Sequence, residues 1–376
     1  MTIILIGGDI CPIRRNYKSF VEGNTSILFN DLLIPFSTAD LSIVNLECPI
    51  VKEVSPISKS GPILGADIQS MQVLKDANIQ VINLANNHIL DHGPMGVENT
   101  ISVCKKVGIS TVGAGKNLDQ AGEILQYRTS NLKIGIMAYA EHECSIASKT
   151  SAGANPLNLM DYIKKIRQLK KNTDYIIVLL HAGKEHYPYP PPQLQQLCRF
   201  MIEEGANAVI CQHSHCAGAY EDYHDGHIIY GQGNLIFDAY PRIDNLWCHG
   251  YLVKLCISGN GKSNMEIVPF VQSDNQIGAR RMSKENESIF LSELGEKSAK
   301  IKDIDFVEKE WESFCKQFRY TYSSIFRGHN RLFRFLNRLF HFSDLFYTKH
   351  DQLVLQNIVR CESHREAIIA MLSTAK

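Results

Sequence analysis

Six short apolar runs in this chain end in side chains that bind protons or metals. "ILIGG" ends in Asp9, "LSIVNL" in Glu47 and "VINLA" in Asn86-Asn87-His88. "YIIVLL" ends in His181, "ANAVICQ" in His213-Ser214-His215 and "HIIYGQG" in Asn234. Oxygen and imidazole donors together suit Mn, Fe or Zn. A mixed set on one rim can hold one or two divalent ions, and a pair of ions clamps the attacking and leaving oxygens of a displacement at phosphorus. His213 and His215 face the same side if their segment is extended.

Each feature also has a plainer reading. Asp9 could cap a helix. Glu47, before Cys48 and Pro49, could sit in a turn. The Asn-Asn-His cluster could be an Asx-turn, and His181 a hydrogen-bonded core imidazole. "CQHSHC" could be a structural zinc site of Cys211, His213, His215 and Cys216, although ligands so close in sequence wrap a tetrahedron poorly. The joint occurrence of six polar ends on six apolar runs favours a common site.

The elements that must position these residues alternate. Strand candidates are Ile3–Gly8, Leu41–Leu46, Val81–Ala85, Ile109–Val112, Leu132–Tyr139, Tyr175–Leu180, Ala208–Cys211, Ile228–Tyr230, Tyr251–Ile257 and Met265–Val271. Several are Val/Ile/Leu-rich on both parities, which fits strands buried on both faces. Helix candidates lie between them at Asp67–Ala77, Met95–Lys106, Asp161–Lys171 and Gln193–Glu204. This is an α/β chain. In such a sheet the carboxyl ends of the strands gather on one edge, where ligands bind. The last two strand candidates flank "SGNGKS" and read as an antiparallel hairpin. From about residue 275 onward, strand signals give way to helical spacing, with Trp311, Phe314 and Phe318 on one stripe. The expected domains are residues 1–272 and a helical extension, 273–376.

Bulk properties narrow the class. Hydrophobic residues make up 44% and charged residues 21%, a folded-protein balance. The formal net charge is zero, so nothing global calls for nucleic acid. The longest apolar runs are strand-sized, too short for a membrane-spanning helix. "MTIILIGGDI" reads as a first strand, not a signal peptide. Eleven cysteines, an odd number scattered through apolar runs, suit reduced thiols in a cytoplasmic protein.

"GGDICPIR", "IVNLECPI", "NLANNHILDHG", "HAGKEHYPYPPPQ" and "GANAVICQHSHCAGAYEDYHDGHIIYGQGNLIFD" together resemble the CapA-like family of bacterial capsule and poly-γ-glutamate synthesis proteins. That family belongs to the calcineurin-like metallophosphoesterase superfamily. The resemblance covers residues 1 to about 272. It implies a four-layer α/β sandwich with metals at the sheet edge.

By the same resemblance, Asp9, Asn87, His181, His213 and His215 match metal ligands, and Glu47 stands at the bridging aspartate. His88 matches the histidine that faces the leaving group. Asp91, three residues on, would orient it. Arg14 falls where an arginine can hold an anionic oxygen. Glu185 and Asn234 match polar positions of undefined role. Three departures stand out. Asp9-Ile10-Cys11 replaces Asp-x-His, so Cys11 is the candidate for the missing ligand. Asn86 replaces a glycine, and Ala182 replaces a tryptophan.

The implied function is metal-dependent phosphoester hydrolysis in capsule, poly-γ-glutamate or cell-surface polysaccharide synthesis, with an anionic substrate or polymer as partner. The alternatives are a γ-glutamyl amide hydrolase or transferase, and a non-catalytic polymer-binding scaffold. In the tail, Arg327, Arg331, Arg334 and Arg338 share one helical face. That segment reads first as a helix packed on the main domain and second as a peripheral membrane contact.

Overall fold

The computed structural model describes residues 1–59, 61–259, 261–317 and 348–373. Its strands are, in chain order, β1 (Thr2–Cys11), β2 (Leu41–Leu46), β3 (Val81–Asn83), β4 (Ser110–Val112), β5 (Ala114–Gly115), β6 (Leu125–Arg128), β7 (Lys133–Ala140) and β8 (Gly153–Ala154). They continue with β9 (Tyr175–His181), β10 (Ala208–Gln212), β11 (Tyr220–Tyr223), β12 (Gly226–Ile229), β13 (Asn234–Phe237), β14 (His249–Ile257), β15 (Ser263–Gln272) and β16 (Ala279–Arg281).

The first sheet runs β16-β15-β14-β1-β2-β3-β4, with β13 beside β1. Its half from β1 to β4 is parallel, and β14 to β16 is antiparallel. The second sheet runs β11-β12-β10-β9-β7-β6, parallel at its centre with an antiparallel strand at each edge. A two-stranded ribbon, β5 with β8, lies apart.

Alternation along β9 shows how the layers stack. Ile177 and Leu179 join the core shared with the first sheet. Ile176, Val178 and Leu180 join an outer core with Tyr162, Ile166, Cys198 and Met201, from helices Leu159–Leu169 and Pro192–Glu204. On the first sheet, helices Arg14–Val21, Ser70–Asp76 and Gly93–Lys106 contribute Phe20, Met71 and Val97. The order is helix, sheet, sheet, helix. Each of these fully buried aliphatic side chains is worth about 1.5–3 kcal/mol.

β1 changes partners partway along. Ile6 pairs with Val253 of β14, whereas Asp9 pairs with Asn234 of β13. The crossing is tight: a Cβ on Gly8 would lie 1.9 Å from the Gly233 carbonyl oxygen. Only glycine fits there, and the register shifts that follow aim Asp9 out of the sheet edge.

All ten expected strands are present, and "SGNGKS" separates the antiparallel β14 and β15. The strands that escaped sequence reading, β5, β6, β8, β11, β13 and β16, are two to four residues long. β16 also carries the first sheet past residue 272. Helices Lys284–Lys300, Ile304–Gln317, Lys349–Arg360 and Glu362–Ser373 follow. Trp311, Cys315, Ile358, Ala367 and Met371 pack around Tyr187. The basic segment carrying Arg327 to Arg338, and Phe318, lie outside the described residues. Among the described residues, no helix is long and apolar enough to cross a membrane. All eleven cysteines are free thiols.

Candidate metal centre

The two sheets bring their strand ends to one edge. Asp9 comes from β1, Glu47 directly follows β2 and Asn87 follows β3. From the second sheet, His181 closes β9, and His213 and His215 follow β10. Two ligand groups result. The donor atoms of Glu47, His181 and His213 lie within 4.8 Å of one another, as do those of Asp9, Glu47 and His215. Glu47 belongs to both. Its Oε1 is 3.6 Å from His181 Nε2 and 3.7 Å from His215 Nε2. Asn87 Oδ1, 3.1 Å from His181 Nε2, adds an amide oxygen to the first group.

Glu47 shows that cations fit here. It is fully buried, and neither carboxylate oxygen has a hydrogen-bond donor. Burial, then the Asp9 charge, pushes its carboxyl well above the usual range. A buried carboxylate without a partner is costly. Divalent ions held by the two groups would compensate that charge, and carboxylate plus imidazole is the donor set for Mn, Fe or Zn. Burial, reinforced by His213 and His215, holds His181 well below its ordinary value, in the neutral form that binds metal.

The histidine pair reaches the site differently from the expected extended segment. His213 has φ 104° and His215 has φ 54°. Both are in the left-handed region, at a cost of order 1–3 kcal/mol each. The turn sends His213 to one ligand group and His215 to the other. Such strain persists only where surrounding contacts enforce it, and asparagines supply several. Asn234 Oδ1 is 2.9 Å from His215 Nδ1, which leaves Nε2 for a metal. Asn45 Nδ2 donates to Asp9 Oδ1 at 2.7 Å and lies 3.5 Å from His181 Nδ1. Asn86 Nδ2 donates to Asn45 Oδ1 and to the Leu46 carbonyl, and its Oδ1 accepts from the His88 backbone. Asn86, the departure from the expected glycine, thus ties the end of β2 to the Asn87-His88 turn.

His88 and Asp91 form the expected pair, with Nδ1 2.7 Å from Oδ2. A third member was not foreseen. Lys59, buried on the long loop after β2, donates to Asp91 Oδ1 and to the Asn87 carbonyl, 3.2 Å from His88 Nδ1. Glu143 was also missed; its Oε1 lies 3.6 Å from His213 Nε2. Lys59 carries no sequence signal, because it lies on a loop away from any apolar run, whereas Glu143 stands three residues past the apolar run of β7 and could have been read by the same pattern. Glu185 lies nearby with its surface exposed. Desolvation by its neighbours raises its pKa, but His213, His215 and Lys184 bring it to about 2. Arg14 lines the same cavity and donates to the Tyr240 carbonyl at 2.6 Å.

Cys11 does not replace the missing histidine. Its thiol is fully buried against Cys48, pushed well up by burial and that contact, and lies outside both ligand groups. The rival zinc site is not formed either. Cys211 faces Cys198 at 3.6 Å, and no cysteine joins the histidines in a ligand group among the described residues.

The groups open into a cavity of about 560 Å³ lined by Arg14, Lys59, His88, Glu185, His186 and His215, among others. Two face-to-face sheets with helices outside and a shared two-group candidate metal centre at their edge define a four-layer α/β sandwich. The chain belongs to the bacterial capsule synthesis protein family PGA_cap, whose family model matches residues 3–239. The capsule biosynthesis protein CapA of Bacillus anthracis is 30% identical over 280 residues, 72% of this chain and 67% of that protein. The PGA biosynthesis protein CapA of Bacillus subtilis is 28% identical over 267 residues, 70% of this chain and 69% of its own. Among solved structures, the calcineurin-like phosphoesterase YfkN of Bacillus subtilis superposes with a TM-score of 0.43 at 11% identity, over 81% of this chain and 98% of its own. So remote a superposition decides nothing about activity.

Proposed function

We propose that the chain is a metal-dependent hydrolase of phosphoesters that serves capsule, poly-γ-glutamate or cell-surface polysaccharide synthesis. One observation carries the reading: two ligand groups share Glu47, whose oxygens lack any donor, beside a His88–Asp91 pair. Asp9, Glu47, Asn87, His181, His213 and His215 would hold the ions. Divalent ions there supply Lewis-acid polarisation of a phosphoryl oxygen and activation of water. Asp91 occupies His88 Nδ1, so the other ring nitrogen is the one available to give a proton to the leaving oxygen. Lys59 fixes Asp91. Arg14 on the rim is placed to meet anionic oxygens. The capsule setting comes from the family and from what its two CapA relatives are named for.

The test is elemental analysis of the purified chain, with turnover of aryl phosphomonoesters and phosphodiesters under added Mn. One to two metals per chain, lost together with turnover in Asp9→Asn and His215→Ala, is the expected result. Metal without turnover on any phosphoester sinks the phosphoester reading. It would leave a γ-glutamyl amide reaction or polymer binding at the same centre.

A further inference from the structure

We propose that helices Lys349–Arg360 and Glu362–Ser373 form the distal wall of the substrate pocket and carry a second oxyanion-binding position, read by His364 and Asn357. This rests on the phosphoester reading above.

The cavity is lined by Asn87, His88 and His215 and, from the two C-terminal helices, by Val354, Asn357, Ile358 and His364. Its volume, about 560 Å³, is that of a pocket enclosing a whole small ligand rather than one phosphoryl group. His364 is mostly buried, in the electrostatic reach of Lys184, Glu143, His213 and Glu185. Glu143 is turned to His213 and Asn87. Lys184 and Glu185 also line the cavity, so this end sets a cation, an imidazole and an amide beside one carboxylate. Such a set binds a carboxylate or phosphate oxygen.

The wall is held in place from the metal-bearing edge itself. Ser363 Oγ donates to Glu141 Oε2 at 3.1 Å, and the His142 backbone N–H donates to Glu362 Oε2 at 3.1 Å. Glu141 and His142 directly follow β7. The Gln193 backbone N–H donates to Glu366 Oε1 at 3.2 Å. Trp311 and Phe314 stack at 5.7 Å and pack on Tyr187, two residues after Glu185. The family model stops at residue 239, so the candidate ligand groups belong to the matched part and this wall does not. A pocket with a family-wide reactive end and a separate distal end discriminates substrates at the distal end.

The experiment is equilibrium binding to the Mn-loaded full chain. The probes are inorganic phosphate, pyrophosphate and phosphoglycolate, read by calorimetry with metal content measured in parallel. Wild type is expected to bind both double anions more tightly than inorganic phosphate. In His364→Ala and Asn357→Ala, inorganic phosphate should bind within about twofold of wild type, while a double anion weakens about tenfold, the worth of one hydrogen bond to a charged group. His364→Gln should recover most of that loss. A loss confined to phosphoglycolate identifies a carboxylate reader, and one confined to pyrophosphate identifies a phosphate reader. Wild-type affinity for both double anions in both alanine variants overturns the proposal. Asp9→Asn marks the other failure. A metal-centre defect removes inorganic phosphate itself, and a wild type that holds neither Mn nor phosphate overturns both readings.

Discussion

Replacing Glu47 with glutamine should remove the response of the fold to metal. Each ion present at a hundredfold its dissociation constant stabilises the native state by about 2.7 kcal/mol, so two add about 5 kcal/mol. A chain of 376 residues unfolds with an entropy of about 0.8 kcal/mol per kelvin, so Mn should raise the midpoint by roughly 3 °C per ion, or about 7 °C for both. Glu47 is the one residue common to both ligand groups. Glu47→Gln should therefore lose nearly the whole rise, whereas His181→Ala and Asp9→Asn should each keep about half. Without metal the sign changes. The Glu47 carboxyl is pushed well above its ordinary range by burial and by Asp9, so its ionisation at neutral pH works against folding. The neutral amide removes that burden, and metal-free Glu47→Gln should be at least as stable as metal-free wild type. Scanning calorimetry with and without Mn, paired with elemental analysis, reads both effects. A Glu47→Gln chain that retains the wild-type rise refutes the shared-ligand geometry.

Four further outcomes follow from the same contacts. His88→Ala should lower phosphoester turnover by about 10²–10⁴-fold while metal content stays at the wild-type level, measured side by side. Asn45→Ala releases Asp9 Oδ1 and should weaken Mn binding by about 10–100-fold in a metal titration, with the fold intact by circular dichroism. Lys59→Met strips the buried Asp91 of an ion-pair partner and should cost about 3–5 kcal/mol in urea unfolding. Burial raises Glu366 from the usual glutamate value to about 7. Its folded-state pKa lies above the unfolded one, so its contribution is complete below about pH 4.5 and is lost as pH rises toward 7. Glu366→Gln should flatten that decline in a pH series of melting curves.

The candidate centre was legible because its candidate ligands share one grammar: a polar residue at the end of an apolar run. Asp9, Glu47, Asn87, His181, His213 and His215 all follow it, and the fold gathers them at one edge. Cys11 misled because two positions along β1 implied the same face as Asp9, whereas its sulfur is buried against Cys48. Asn45 escaped because it lies inside β2, where a lone amide in "LSIVNL" looks like a tolerated polar residue. Its importance appears only when β1, β2 and β9 are brought together. Lys59 is fixed by tertiary packing of its loop, which leaves no periodicity to read. The short strands failed for a related reason. β13 is held by pairing with the distant β1, and β16 by three pairs to the neighbouring β15, rather than by any run of their own.

The partner exchange within β1 bears on how the protein is made. Thr2 pairs with Ile257, so the strand leaves the ribosome about 250 residues before its antiparallel neighbour exists. At 5–20 residues per second that is roughly ten seconds to a minute during which an apolar strand lacks one edge. Asp9 and Glu47 emerge early, and His213 and His215 near the end of that interval. The early carboxylates therefore cannot close either ligand group during synthesis. Metal capture by these groups would then be a late event in biogenesis, coupled to the arrival of β10, β13 and β14.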